Sequence, residues 1–211
     1  MAIGSDTIRV HKIISSIFFE NTYLIVNEEL GSAILVDPGR NTWQRIQQII
    51  GTAIRIEGIF ITHAHFDHVF DLGFVKAEAN APIYMHRMDV PLLHDFVRMA
   101  ISYDATCKPL PDADLFWSDG EVISLCGLEF EVIHVPGHTA GSVCLKWKDG
   151  IFTGDTLMFK TIGDCAQGGL DEYIDGIKNK LFTLPESLVI YPGHSKYSTI
   201  GDEKNYNQIF L

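Results

Sequence analysis

Positive charge is scarce in this sequence. Its 211 residues carry 16 lysines and arginines against 27 aspartates and glutamates, a formal net charge of −11. Nucleic acid and anionic membrane surfaces reward the opposite balance, so neither is expected as the main partner. No apolar run approaches the ~20 residues that a membrane-spanning helix needs. Met1–Asp6 lack the basic-then-apolar order of a signal peptide. Cysteine is sparse as well. Cys107, Cys126, Cys144 and Cys165 stand apart with no Cys-x-x-Cys pair, which argues against a disulfide framework or a zinc ribbon. There is no Gly-x-Ser-x-Gly elbow to present an activated serine, and no linker or low-complexity segment interrupts the chain. These absences leave a chain of ordinary globular composition, 46% hydrophobic and 20% charged. The expectation is a single domain over residues 1–211 in a reducing, cytoplasmic setting.

What is present starts with strands. Ile8–Phe19, Thr22–Asn27 and Ala33–Val36 are rich in Ile, Val, Phe and Tyr and are separated by turn residues. The spacing of Trp43, Ile46, Ile49 and Ile50 predicts a helix over 42–50. Residues 58–62 read as a short buried strand, 68–79 as a helix, 82–85 as a strand and 88–102 as a helix with an apolar face. The second half repeats the rhythm, with strands at 121–125, 128–135, 142–147 and 151–154, a helix at 171–183 and a strand at Leu188–Tyr191. Two sheets packed face to face, each covered outside by helices, would bury these patterns.

The densest chemistry lies in "FITHAHFDH", residues 60–68. Three histidines and an aspartate follow directly on a buried strand, where a rigid sheet hands side chains to a loop. Three later stretches share this design of an apolar strand followed by His or Asp in a glycine-rich turn. They are "PGHTAGS" with His138, "FTGDTL" with Asp155 and "YPGHS" with His194. Alone each is an ordinary turn; in series after His63–His68 they point to a metal centre.

With the tail "STIGDEKNYNQIF", these motifs resemble the metallo-β-lactamase superfamily, in particular the short single-domain members of its glyoxalase II (hydroxyacylglutathione hydrolase) branch. The resemblance runs from Asp37 to Phe210. It implies an α/β fold, a four-layer αββα sandwich with a dinuclear site at one edge. It places one metal on His63, His65 and His138, a second on Asp67, His68 and His194, and Asp155 between them. The cofactor expected is two divalent metal ions, zinc first, with iron or manganese as alternatives. The implied chemistry is hydrolysis of an activated acyl bond, a thioester foremost, by a metal-bound hydroxide that Asp67 helps orient. Asp37, at a strand end, either accepts a hydrogen bond from a ligand imidazole or is a plain turn residue. His134 either supports the site or packs in its strand. His11, His86 and His94 have no motif around them.

The implied partner is a small acyl substrate; the oligomeric state is left open. Glyoxalase II proteins with a helical C-terminal domain use it to grip glutathione, and a chain ending at Leu211 is expected to have no room for one. Where the branch carries Arg or Lys after Ile-Gly, this chain has Asp164, and a tyrosine found nearby falls on Ala166. Both departures point away from glutathione selectivity. Lys160, Lys178 and Lys204 are the candidate replacements. A β-lactamase would carry Cys at position 155. A mononuclear iron persulfide dioxygenase would leave His68 and His194 unused, a lactonase would use the same ligands, and a superfamily nuclease is disfavoured by the acidic charge. A non-enzymatic metal-binding module would need a closed, fully coordinated site.

Overall fold

The computed structural model describes residues 7–104, 106–166 and 168–211, so the expectation for Met1–Asp6 lies outside the described residues. Two six-stranded sheets form. The first holds β1 (Ile8–Ile14), β2 (Asn21–Asn27), β3 (Ser32–Val36), β4 (Arg55–Phe60), β5 (Ile83–His86) and β6 (Leu115–Trp117) in chain order. The second holds β7 (Val122–Leu125), β8 (Leu128–His134), β9 (Val143–Trp147), β10 (Gly150–Gly154), β11 (Val189–Pro192) and β12 (Ser198–Thr199), also with sequential neighbours. Pairing is antiparallel from β1 to β3 and parallel from β3 to β6. In the second sheet only β10 and β11 run parallel.

Side-chain alternation along the strands creates the layers. Tyr23 and Ile25 of β2, with Ile34 and Val36 of β3, meet Phe130, Val132, Leu145 and Phe152 in one core between the sheets. The alternate residues Leu24, Val26, Ala33 and Leu35 face outward. There they pack under α1 (Trp43–Ile50), α2 (Leu72–Ala79), α3 (Val90–His94) and α4 (Phe96–Ala100). On the far side, α5 (Leu170–Lys180) and α6 (Ile200–Tyr206) bury Tyr173, Ile177 and Ile200 against Val135, Ile151 and Ile190. This is the expected αββα sandwich.

Several boundaries differ from the sequence reading. The first strand ends at Ile14, not Phe19, because residues 15–20 form a tight turn with Phe18 and Phe19 at positive φ. The helix expected over 88–102 is broken. A 3₁₀ turn at Arg87–Asp89 precedes α3, and Asp95 at φ −85°, ψ 0° separates α3 from α4. Leu93, Phe96 and Ala100 still face the core, so the apolar stripe survives the break. β6 and β12 escaped the reading because three and two residues carry no periodicity. α6 escaped because Ile200–Tyr206 is mostly polar; its N-terminus is marked by Thr199, whose hydroxyl accepts from the Asp202 amide at 3.1 Å.

Phe60 sits at the centre of this arrangement, fully buried, with its ring edge-on to Tyr84, Trp117 and Phe130 at 5.2–5.3 Å. It closes β4 three residues before His63. Phe60→Ala should cost about 3–5 kcal/mol of unfolding free energy in urea denaturation, through lost burial and the cavity left behind. Val122→Ala, on an edge strand and 56% exposed, should stay within about 0.5 kcal/mol. Equal effects at the two positions would contradict the layering.

Candidate metal centre

The expected site residues come from loops at one end of the sandwich. Asp37 follows β3, His63–His68 follow β4, His138 follows β8, Asp155 follows β10 and His194 follows β11. Hydrogen bonds between backbones stitch these loops across both sheets. The Asp37 amide donates to Phe60 O at 3.0 Å, Val143 to Thr62 O at 2.9 Å, Gly193 to Gly154 O at 2.8 Å and Asn21 to Gly193 O at 2.7 Å.

The structure brings the seven expected residues together. One ligating atom each from His63, His65 and His138 lies within 4.8 Å of the others, and the same holds for Asp67, His68 and His194. Asp155 lies between the two triads. Its Oδ1 is 3.5 Å from His68 Nε2, and its Oδ2 is 3.6 Å from His138 Nε2 and 3.5 Å from His194 Nε2. Asp67 Oδ2 is 3.3 Å from His194 Nε2. Gly193 makes this approach possible, since a Cβ there would overlap Asp155 Oδ1 and His68 Cε1.

Tautomers follow from the outer hydrogen bonds. His138 Nδ1 is 2.9 Å from Asp164 O and His194 Nδ1 is 3.0 Å from Phe18 O; a carbonyl only accepts, so both Nδ1 atoms carry hydrogen. His68 Nδ1 donates to Asp37 Oδ2 at 3.0 Å. Thr62 Oγ1 donates to the same carboxylate at 2.6 Å, which leaves its lone pairs to accept from His63 Nδ1 at 3.1 Å. Four imidazoles therefore turn their Nε2 atoms inward. His63 Nε2, His68 Nε2, His138 Nε2 and Asp155 Oδ1 are buried with no hydrogen-bond partner. Buried polar atoms are rarely left so, and a cation bound among them would satisfy all four. The donor set thus fits a metal centre of imidazole and carboxylate ligands.

Electrostatics divide the imidazoles. Burial, with His68 and His138 close by, pushes His63 well below the usual imidazole range. Burial and the neighbouring His138 and His68 bring His65 down to about 4. Both rings are neutral at pH 7, the form that ligates. Burial opposes charge on His68 too, but Asp155, Asp67 and Asp37 outweigh it and raise its pKa well above the usual value. Asp67 and Asp155 are held ionised, since His68 and His194 overcome the burial penalty on each.

The two open assignments resolve. Asp37 touches the site as an orienting acceptor, because its oxygens already take Thr62 N at 2.8 Å, the Thr62 hydroxyl and His68 Nδ1. His134 does not join the cluster. Its Nε2 bonds Ala140 O at 2.9 Å, and its ring stacks on His86 at 4.0 Å. His94 pairs with Asp112 at the surface, and His11 lies in β1. Asp164 and Ala166 are exposed beside the His138 loop, where Asp164 supplies its carbonyl to His138 and the Ala166 amide donates to Gly137 O at 2.9 Å.

Sequence reasoning missed Asp89. Its place before Val90-Pro91 reads as a helix N-cap, yet it makes no cap hydrogen bond. Fully buried, it accepts from Ala64 N at 2.9 Å, Thr139 Oγ1 at 2.8 Å and Gly141 N at 2.6 Å, tying the His63–His68 loop to the His138 loop.

Two substitutions separate these supports. Asp37→Asn should weaken metal affinity about 10–100-fold in chelator competition, because the imidazole loses its charged acceptor; unchanged affinity would return Asp37 to a turn role. Asp89→Ala strands two buried amides, at about 1–3 kcal/mol each, while the Thr139 hydroxyl keeps Ser142 Oγ at 2.7 Å. Denaturation of metal-free protein should therefore show a loss of at least about 2 kcal/mol, and a loss below about 1 kcal/mol would mean the two loops do not depend on it.

Comparison with known proteins places this site in context. Residues 16–194 match the family model of the metallo-beta-lactamase superfamily. The hydroxyacylglutathione hydrolase GloC of Haemophilus influenzae is 33% identical over 201 residues, covering 90% of this chain and 92% of that protein. The crystal structure of the BLEG-1 B3 metallo-beta-lactamase superposes with a TM-score of 0.85 at 28% identity, over 96% of this chain and 99% of that one. TTHA1623, crystallised in a di-iron-bound form, superposes with a TM-score of 0.75 at 25% identity, over 100% and 98% of the two chains. Its sequence match, its sandwich and its clustered histidines and aspartates agree: the chain belongs to the metallo-beta-lactamase superfamily.

Proposed function

We propose that the protein is a metal-dependent hydrolase of small activated acyl compounds, thioesters foremost. The observation that carries the reading is the set of partnerless, inward-facing atoms, His63 Nε2, His68 Nε2, His138 Nε2 and Asp155 Oδ1. In this reading His63, His65 and His138 hold one divalent ion, Asp67, His68 and His194 hold a second, and Asp155 reaches both. Zinc, iron and manganese all suit these donors. When bound, such ions polarise a carbonyl and acidify water toward neutral pH, so no serine or cysteine nucleophile is needed.

The chain's own residues do the rest. Asp37, Phe18 O and Asp164 O hold three imidazoles by their Nδ1 hydrogens, which fixes the direction of each Nε2. Ionised Asp67, on the His194 side of the cluster, is placed to accept a hydrogen bond from the attacking water and orient it. Likeness to a hydroxyacylglutathione hydrolase supports a thioester substrate.

Glutathione itself is a poor fit. Asp164 is exposed next to His138 and would repel the peptide's carboxylates. Lys204 pairs with Glu186 at 3.2 Å, Lys178 lies 6.0 Å from the Phe210 ring centre, and Lys160 and Lys196 lie over Phe159. A second reading, β-lactam hydrolysis, is favoured by the likeness to BLEG-1, although Asp155 stands where a cysteine was expected for that activity.

Metal-loaded protein should hydrolyse both the lactoyl thioester of glutathione and a thioester lacking the peptide's charges. Chelation should abolish both activities and metal should restore them. The preference for glutathione in kcat/KM should stay below about a hundredfold, or about 2.7 kcal/mol of transition-state binding. A larger preference would contradict the role given to Asp164. Turnover of a β-lactam with neither thioester touched would favour the second reading.

A further inference from the structure

The turn between β1 and β2 adopts a costly conformation beside the cluster. Phe18 and Phe19 are consecutive non-glycine residues in the left-handed region, at φ 55° and 56°, and are 49% and 77% exposed. Bulky side chains avoid this region, and such strain persists only where surrounding contacts enforce it. Here they do. The Ser15 amide donates to Glu20 O at 2.8 Å, and the Ser15 hydroxyl to Ile17 O at 2.8 Å. Glu20 is fully buried beneath the turn, takes the Thr22 hydroxyl at 3.1 Å, and fills the space a Cβ on Gly39 would need. Asn21 Nδ2 donates to Pro192 O at 2.9 Å and Ser195 O at 3.0 Å, on either side of His194. Phe18 O receives the His194 Nδ1 hydrogen.

The strain delivers a ring to a defined place. Phe18 meets Phe66 edge-on at 5.4 Å and Tyr103 at 5.3 Å, and Phe66 and Tyr103 stack at 5.1 Å with 18° between their planes. Phe66 stands between His65 and Asp67 in sequence, so two of the three rings are tied by backbone to cluster residues. The charged groups beside them cancel, since Arg40 pairs with Asp104 at 3.0 Å and also donates to Tyr103 O at 3.2 Å. Tyr103 is 47% exposed.

We propose that Phe18, Phe66 and Tyr103 form a specificity subsite for a flat apolar group, an aryl ring carried on the acyl part of the substrate. The proposal rests on the hydrolase reading above and names its substrate class. Ring faces and edges offered together suit an aromatic partner in offset or edge-to-face contact. An anionic group would find no unpaired cation among the neighbours named, on a protein of net charge −11. Continuity with the cluster would set the scissile carbonyl beside the metal ligands once the ring is seated.

Two measurements on the metal-loaded protein test this. In equilibrium dialysis, 1-naphthylacetate should bind and acetate at equal concentration should not displace it. Tyr103→Ala and Phe18→Gly should each weaken that binding at least about fivefold, while Tyr103→Phe should retain it. In hydrolysis, phenylacetyl and acetyl thioesters of one thiol should differ at least about tenfold in kcat/KM, and the ratio should fall below about threefold in Tyr103→Ala, mainly through KM. Absence of naphthylacetate binding, binding equal in wild type and both variants, or an unchanged ratio would overturn the subsite. A dimer dissolved by Tyr103→Ala with naphthylacetate binding unchanged would also overturn it, by giving this face to a second copy of the chain. Binding lost in the variants while no thioester is hydrolysed would uphold the subsite and reject the hydrolase reading instead.

Discussion

Four imidazoles tied outward by Nδ1 govern this end of the molecule. Each outward bond occupies Nδ1 and turns Nε2 toward the inside. Brought together with the carboxylates of Asp67 and Asp155, they form a crowded centre in which His63 Nε2, His68 Nε2, His138 Nε2 and Asp155 Oδ1 lack hydrogen-bond partners. Such a centre is costly unless a cation joins it. The surrounding fold can be understood as the apparatus that holds this arrangement in place.

That apparatus spans both sheets. The anchors of the four histidines come from four places: Asp37 after β3, Thr62 after β4, Asp164 after β10, and Phe18 in the turn between β1 and β2. No single sheet supplies them all, so the inter-sheet core around Phe60 and Phe130 is a condition for the site and not merely for stability. Asp89 makes the same point at a smaller scale, with one carboxylate fixing two ligand loops. The strained turn at Phe18 and Phe19 follows as well, because the carbonyl that holds His194 belongs to a left-handed residue.

Ten of the twelve strands and the histidine and aspartate motifs were legible in the sequence because both signals are local, and the resemblance sorted the seven candidate ligands among them. An apolar run followed by His or Asp in a glycine turn needs no knowledge of distant residues. The rest was not legible because it depends on what lies across the fold. Phe18 and Phe19 read as a continuation of β1, and contacts of Ser15, Glu20, Asn21 and His194 hold them in a turn instead. Asp89 carried no local signal, since its three donors lie 25 to 52 positions away in the chain. Asp37 could not be told from a turn residue until His68 and Thr62 were seen on its oxygens. The break at Asp95 left the apolar stripe of Leu93, Phe96 and Ala100 intact, so that helix was misjudged in length but correct in the face it buries.

The central claim is that two triads of donors share one carboxylate. Elemental analysis of protein purified without chelator tests it most directly, on wild type and on His194→Ala. The account predicts close to two divalent ions per wild-type chain and close to one in the variant. One ion per chain in a well-loaded wild type, unchanged by His194→Ala, would contradict it.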